Sequence, residues 1–175
     1  MMLAFPPLPS WDAAHPVVVH FPIALLLVTP VFILLGVILC PTRGRGLLYS
    51  ALLLMALGTV GAYVAHEAGH AAEHAADHAE QIPPEARATV DRHEDLGKDT
   101  VIVFVVLTLV FAALVLVPEF APRFKTPLVT RILPAVFLLL YFAGLSVLAN
   151  TAYLGGRLVH EYGIRAGAPA APHSH

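Results

Sequence analysis

The sequence predicts an all-α fold, an integral membrane four-helix bundle in which the second and third helices extend beyond the bilayer as an outer hairpin. Three observations support this fold class. Of the 175 residues, 58% are hydrophobic and only 13% are charged, whereas soluble domains carry roughly 25% charged residues. Four apolar runs each approach the ~20 residues that span a hydrocarbon core. None of the runs alternates with the period of two that a transmembrane β-barrel requires, so the spanning elements are predicted to be helices.

Each apolar run defines one spanning helix. The runs cover about 17–39, 47–65, 100–117 and 128–149. The first contains Pro22 and Pro30 and the fourth contains Pro134, and membrane helices tolerate such prolines at the cost of a bend. We expect a single four-helix membrane domain over residues 1–165, and the Pro/Ala-rich segment 166–175 is predicted to be a disordered tail.

The distribution of basic residues predicts the orientation in the membrane. The two short connections contain Arg43, Arg45, Arg123 and Lys125, and Arg131 lies just inside the fourth run. Lysine and arginine near the ends of spanning helices favour the cytoplasmic side. We therefore expect both short connections in the cytoplasm, and both termini and the long connection on the outer side.

The long connection between the second and third runs, about 66–99, is predicted to be a helical hairpin. The stretch 62–81 is rich in Ala, Glu and His, and Gly69 is its single helix breaker before Pro83-Pro84. The chain after these prolines then returns as the beginning of the third helix. At 1.5 Å per residue, the two arms are expected to rise roughly 20 to 25 Å above the membrane.

Counting outward from Pro83 predicts which residues of the two arms lie at the same height. His66 is expected to lie level with Thr100, and His70 is expected to lie level with Leu96. Residues from both arms are therefore candidates for a shared site at the outer surface.

Composition excludes several classes of function. The single Cys40 cannot form an intramolecular disulfide or a cysteine-only metal cage. The formal net charge is only -2 and no large basic patch is evident, so nothing indicates nucleic-acid binding. Histidine is the remaining abundant ligand type.

All ten histidines fall at the outer ends of the predicted helices or in the outer tail. They are His15, His20, His66, His70, His74, His78, His93, His160, His173 and His175. A metal or haem site in a bundle needs ligands that converge from facing helices. Level counting gives two tiers, one at the membrane boundary and one about 10 Å further out, and each tier could hold one cofactor.

Our first interpretation is a b-type haem held by two axial imidazoles. The chain lacks the Cys-x-x-Cys-His motif of covalent c-type attachment. The inner half offers no histidine, which disfavours a stacked transmembrane pair of haems. Of the candidates, His20 and His93 are the preferred axial pair. The full set of candidate cofactor-binding residues is His15, His20, His66, His70, His93 and His160.

The alternative is a non-haem site for Zn, Cu or Fe. Its candidate ligands are His20, His66, His70, His74, His93 and His160. The stretch 66–70 matches H-E-x-x-H, with Glu67 in the place of the general base of a zinc peptidase. A stretch with histidine at every fourth position produces this match by composition, so proteolysis is disfavoured. The histidine stripe is better interpreted as metal-collecting, or as a solvated helix that binds nothing.

Two local patterns are distinctive, HPVVVHFPI at 15–23 and LGGRLVHEYG at 154–163. They resemble the opening and closing signatures of a bacterial membrane family known as the domain of unknown function 2231. Together with HEDLG at 93–97, the resemblance spans about 14–163. It implies a four-helix membrane domain and, because some members are fused to cytochrome c-like modules, redox work. The chain departs from the pattern at His160, where tyrosine is usual, and in its His-rich extension after the second run.

The resemblance leaves His15, His20 and His93 as the candidates shared with the family. From these observations we expect a membrane-bound electron-transfer subunit that binds haem b near the periplasmic face of a bacterial inner membrane. A redox or accessory subunit is favoured over a stand-alone enzyme. The expected partners are the lipid bilayer, other subunits of a respiratory or redox complex, and quinol or cytochrome c. The alternatives are a non-haem metal-binding membrane protein and a structural subunit.

Overall fold

The structure, a computed structural model, describes residues 10–39, 43–78 and 82–164, apart from the side chain of Asp12. Within these residues the chain is helical and has no strand. A 3-10 turn and a π-helical turn, Pro122–Phe124 and Leu128–Ile132, join the last two helices. The α-helices are α1 Trp11–Val18, α2 His20–Leu39, α3 Gly44–His78, α4 Arg87–Phe120 and α5 Leu133–His160.

Four helical stretches in the described part are long and apolar enough to cross a membrane. They are Ala13–Leu39, Gly44–His78, Arg87–Phe120 and Leu128–His160. The all-α class with four membrane-spanning helices is therefore confirmed. The predicted tail 166–175, with His173 and His175, lies outside the described residues.

The first spanning stretch is divided near its outer end. α1 ends at Val18 and α2 begins at His20. Pro22 has no N–H to donate to the carbonyl of Val18, four residues earlier, so the helical hydrogen-bond ladder is interrupted at this point. On the N-terminal side of this break, α1 packs against α3.

The middle of the bundle is filled by four aromatic side chains, which we call the aromatic core: Phe104, Phe111, Phe137 and Tyr141. All four are almost fully buried. The ring centroids lie 5.6 Å apart for Phe104 and Tyr141, 6.0 Å for Tyr141 and Phe137, and 5.0 Å for Phe137 and Phe111. These separations are typical of favourable edge-to-face and offset aromatic pairs. The aromatic core therefore closes the space between α4 and α5 at this depth.

A proline in α2 explains the polar end of the aromatic core. Pro30 has no N–H, so the carbonyl of Leu26, four residues earlier, loses its helical partner. The hydroxyl of Tyr141 donates to this carbonyl over 2.8 Å. An unpaired backbone carbonyl is costly in a membrane, where no water can replace the missing donor. The hydrogen bond from α5 to α2 therefore satisfies the defect that the proline creates.

The outward faces of the long helices are apolar. Val60, Leu109 and Leu139 are each more than 60% exposed. Exposed apolar surface on this scale is destabilising in water but is the expected surface of a helix in contact with lipid. The outward faces therefore support direct contact with the lipid bilayer.

The outer parts of α3 and α4 extend beyond their apolar runs and contact each other. Nε2 of His70 lies 3.3 Å from a carboxylate oxygen of Glu94. Arg87 forms an ion pair with Asp77 and lies 3.9 Å from Glu73. Glu94 is two residues from Leu96, the position that counting from the prolines places opposite His70.

Candidate cofactor site

A cavity of about 510 Å³ opens between the outer ends of the helices. This volume lies within the 300–1,000 Å³ range typical of small-molecule and cofactor pockets. Apolar side chains such as Val19, Ile23 and Leu148 form much of its wall. Six histidines from all five helices line it: His15, His20, His66, His70, His93 and His160. The structure thus brings the six candidate cofactor-binding histidines around one cavity.

The six histidines differ in depth. His15, His66 and His93 are half-buried, whereas the other three are exposed at the rim. His74, the remaining candidate metal ligand, is exposed and lies outside the lining. We call the three half-buried residues the histidine trio.

His15 is held against the backbone of α3. Its Nδ1–H donates to the carbonyl of Ala65 over 2.7 Å. A carbonyl can only accept, so this hydrogen bond fixes the tautomer and leaves Nε2 with a free lone pair. A Cβ at Gly69 would lie 3.0 Å from Cε1 and Nδ1 of His15. The close approach of the imidazole to α3 therefore depends on glycine at that position.

His93 is held against α5 by the same arrangement. Its Nδ1–H donates to the carbonyl of Thr151 over 3.0 Å. A Cβ at Gly155 would lie 3.0 Å from Cε1 of His93. The rings of His15 and His93 are nearly perpendicular, at 87°, with centroids 6.3 Å apart. Within the described residues, neither Nε2 has a hydrogen-bond partner.

His66 completes the trio from α3. A Cβ at Gly97 of α4 would lie 3.4 Å from Nδ1 of His66. His93 precedes Thr100, where the apolar run of α4 begins, and so lies outside the membrane-spanning run. Burial lowers the pKa of His93, and the neighbouring His15 and His66 lower it further, while the hydrogen bond to Thr151 opposes them. The lowered pKa favours the neutral imidazole, the form that binds metals.

Two threonines form a polar floor beneath the trio. The hydroxyls of Thr100 and Thr151 are 2.9 Å apart, and both reach the carbonyl of Leu96, over 2.7 and 3.1 Å. The backbone carbonyl of Thr151 also accepts the hydrogen bond from His93. Thr151 thus fixes both the floor and the orientation of one imidazole.

The rim of the cavity is acidic. Glu94 and Glu73 line the rim near His70. Burial raises the pKa of Glu73, and the neighbouring Glu94 raises it further. The ring centroids of His70 and His74 are 4.6 Å apart. In the part of the chain that the structure describes, no group of three or more His, Cys, Asp or Glu side chains is arranged to hold a metal ion.

The chain folds back over the cavity after α5. Gly163 adopts a φ of +70°, in the left-handed region that favours glycine. The N–H of Ile164 then donates to the carbonyl of Leu158, six residues earlier, over 2.9 Å. Ile164 lines the cavity, as does Ile82 before α4.

Sequence reasoning missed the residues that support the imidazoles. Gly69 stood out as the single breaker in a helical stretch, and Gly155 as half of a glycine pair, but nothing in the sequence indicated which ring each glycine contacts. Thr100 and Thr151 gave no signal, because a threonine in an apolar run usually bonds to its own helix. The preferred axial pair was His20 and His93, whereas the ring that faces His93 across the cavity is that of His15.

Comparison with known proteins gives a family and no close relative. No curated protein and no solved structure matches the chain. A family model described as a predicted membrane protein, DUF2231, matches residues 12–168. Apart from Trp11, the first residue of α1, this match includes all five helices and the whole histidine-lined cavity. The chain therefore belongs to the DUF2231 family of predicted membrane proteins.

Proposed function

We propose that the protein is a membrane-bound electron-transfer subunit that binds haem b in the outer cavity. One observation carries the proposal. Two imidazoles from different helices, His15 and His93, each have Nδ1 tied to a backbone carbonyl and Nε2 without a protein partner. Metal-ligating histidines characteristically donate their second ring N–H in this way, which fixes the tautomer and orients the ring.

The separation of the two rings supports one shared metal. A metal–nitrogen bond is about 2 Å long. With one metal between two imidazoles, the ring centres lie roughly 6 Å apart, since each adds about 1 Å from Nε2 to its centre. The measured 6.3 Å between His15 and His93 is compatible with this arrangement. A haem iron with two axial imidazoles is then a one-electron carrier.

The size and polarity of the cavity favour a large flat cofactor over a bare ion. A cavity of about 510 Å³ is far larger than a single ion needs. Its wall is mainly apolar, as a macrocycle requires, and glycines at 69, 97 and 155 let the imidazoles lie close to the helix backbones. The residues proposed to hold the haem are His15 and His93, with His66 beside them.

The location of the cavity sets the proposed partners. It lies at the end of the bundle that carries the histidines and most of the acidic residues, and the distribution of basic residues supports the periplasmic side of a bacterial inner membrane for this end. Quinol in the membrane is the proposed electron donor. Cytochrome c or another subunit of a redox complex is the proposed acceptor.

A non-haem metal site is the second candidate, because of one observation at the rim. Nε2 of His70 lies 3.3 Å from Glu94, and the His74 ring is adjacent. Imidazole and carboxylate together suit Zn or Fe. In this alternative the rim, rather than the histidine trio, holds the ion.

Visible absorption of the purified protein tests the proposal. Protein from cells supplied with haem precursor should show a Soret band, and His15→Ala and His93→Ala should weaken or shift it. His78→Ala is the matched control, because this histidine lies on the same helix stripe but is exposed and outside the cavity lining. Free imidazole should restore the spectrum of His93→Ala if the variant is folded and lacks only its ligand.

Metal analysis of the same samples separates the alternatives. Stoichiometric Zn, Cu or Fe without a Soret band would replace the haem proposal with the metal site at the rim. In that case His70→Ala should remove the metal and His15→Ala should not. Protein with neither haem nor metal would contradict both proposals and favour a structural subunit.

A further inference from the structure

The end of the bundle opposite the cavity carries concentrated positive charge. Five of the ten Lys and Arg residues are located there: Arg43, Arg45, Arg123, Lys125 and Arg131. We call these five residues the basic end. In the chain segments that form it, Glu119 is the only acidic residue.

The carboxylate of Glu119 is already paired with two cations. Arg45 forms an ion pair with Glu119, and Nζ of Lys125 lies 3.5 Å from its second oxygen. Arg43, Arg123 and Arg131 have no carboxylate partner among the described residues. Three guanidinium groups at this end therefore lack a counter-charge within the described protein.

Two of these guanidinium groups belong to residues beside the C-terminal part of α2, since Gly44, directly after Arg43, packs against Gly36 of that helix. Nε of Arg131 donates to the carbonyl of Val37 in the last turn of α2, over 3.4 Å. Arg43 directly precedes α3, four residues after α2 ends at Leu39. Both side chains are exposed. The end of α2 is thus flanked by two exposed cations.

Apolar surface lies beside the two cations. Leu39 on α2, and Leu128 and Ile132 near the beginning of α5, are each about half exposed. On a membrane helix such side chains contact acyl chains, while arginine at the helix end reaches the headgroup level. The cations therefore lie at the level of the lipid phosphate and the apolar side chains at the level of the acyl chains, as binding of a phospholipid requires.

We propose that Arg43 and Arg131 bind the phosphate of an anionic phospholipid in the leaflet that faces the basic end. Charge complementarity carries the assignment, because two exposed guanidinium groups without carboxylate partners match one negatively charged headgroup. Guanidinium also forms paired hydrogen bonds with phosphate. Each basic residue near an anionic bilayer surface strengthens binding by roughly fivefold.

Lipid selection from nanodiscs tests the proposal. The full chain is reconstituted in an equimolar mixture of phosphatidylglycerol and phosphatidylcholine, extracted under mild conditions, and analysed for retained lipid by native mass spectrometry. The wild type should retain phosphatidylglycerol in preference, and the double variant Arg43→Gln/Arg131→Gln should lose roughly 20- to 30-fold of that preference. Arg92→Gln/Lys98→Gln, which removes two exposed cations at the cavity end, should leave it unchanged.

Two further arms make the result decisive. Arg43→Lys/Arg131→Lys keeps the charge and should retain most of the preference, which distinguishes lost charge from lost folding. Excess inorganic phosphate at constant ionic strength should not displace the lipid; displacement would identify a phosphate site and overturn the lipid proposal. Equal preference in the wild type and the glutamine double variant would also overturn it.

Discussion

The histidine-lined cavity and the aromatic core are neighbouring regions of the same bundle, yet one is open and the other is closed. In the aromatic core, Phe104 and Tyr141 fill the space between α4 and α5. At the cavity, Gly69, Gly97 and Gly155 lie where a Cβ would approach an imidazole. The helices continue through both regions, so side-chain size at facing positions decides which part of the bundle can receive a ligand.

The two regions also differ in how polar groups are satisfied. In the aromatic core, the hydroxyl of Tyr141 is used to pair the carbonyl that Pro30 leaves free. In the cavity, His15 and His93 each use one ring nitrogen for a backbone carbonyl and keep the other. Complete hydrogen bonding stabilises the aromatic core, whereas incomplete hydrogen bonding in the cavity leaves ring nitrogens that can bind a ligand. Variants in each region should therefore separate stability from ligand binding.

The largest expected effect is on stability, from Phe104→Ala in the aromatic core. Phe104 is fully buried and contacts the ring of Tyr141. Removing the ring should cost about 3 kcal/mol, the lower end for buried phenylalanine, because lipid competes for apolar surface in the unfolded state. Thermal unfolding in micelles measures the change. The visible absorption spectrum of the proposed haem should be unaltered in the folded fraction. A loss of spectrum without a loss of stability would contradict the separation of the two regions.

The next effect is that of Tyr141→Phe, which removes the donor to the carbonyl of Leu26. An unpaired buried carbonyl should cost about 1–3 kcal/mol of unfolding free energy. Pro30→Ala restores a helical N–H to that carbonyl, so Tyr141→Phe should be close to neutral in the Pro30→Ala background. A double-mutant cycle by thermal unfolding measures the coupling. Equal costs in both backgrounds would show that the hydroxyl does not act through the proline defect.

A smaller effect on stability and a clear effect on binding are expected from Gly155→Ala. The added Cβ would lie 3.0 Å from Cε1 of His93, so the ring must shift and its bond to Thr151 must weaken. Disturbing such a support should lower haem affinity by roughly tenfold. Gly46→Ala is the control, because this helical glycine lies outside the cavity lining and a Cβ there meets nothing within 4 Å. Haem titration measures both variants, and equal affinities would exclude this role for Gly155.

The smallest effect is expected outside both regions, at the ion pair of Arg157 with Glu161. The hydrogen bond from Arg157 holds the pKa of the Glu161 carboxyl below its usual range. A lowered folded-state pKa contributes stability above the ordinary carboxyl pKa and loses it as pH falls through the folded value. Glu161→Gln should therefore lower the melting temperature slightly at neutral pH and not at strongly acid pH. A constant difference at both pH values would show that the charge of Glu161 is not involved.

The helices were predictable from the sequence because lipid imposes length and apolarity on each span. The four apolar runs lie within the helical stretches Ala13–Leu39, Gly44–His78, Arg87–Phe120 and Leu128–His160. The grouping of His20, His66 and His93 at one end of the bundle was also predictable, since position along a spanning helix fixes the height of a residue relative to the membrane. The break between α1 and α2 near Pro22 was visible in the sequence only as a proline that a membrane helix tolerates at the cost of a bend.

The pairing of side chains was not predictable, because it depends on how each helix is rotated about its axis. His15 and His20 lie on neighbouring turns, yet the His15 ring contacts α3 and His20 is exposed. The contact of Tyr141 with Leu26 joins residues 115 positions apart. Hydropathy carries no information about such rotation, since the outward faces are as apolar as the core.

At the glycines beneath the imidazoles, the residue that most favours helix stability is not the residue that leaves room for the rings. Gly69, Gly97 and Gly155 are each within a helix, where alanine is favoured by about 1 kcal/mol. Selection for heat resistance alone would exchange them for alanine, and at Gly69 and Gly155 the added Cβ would push the rings away from the backbones. A laboratory evolution experiment that rewards only thermal survival should therefore accumulate changes at these positions, and the more stable protein should be the one that no longer has room for the proposed haem.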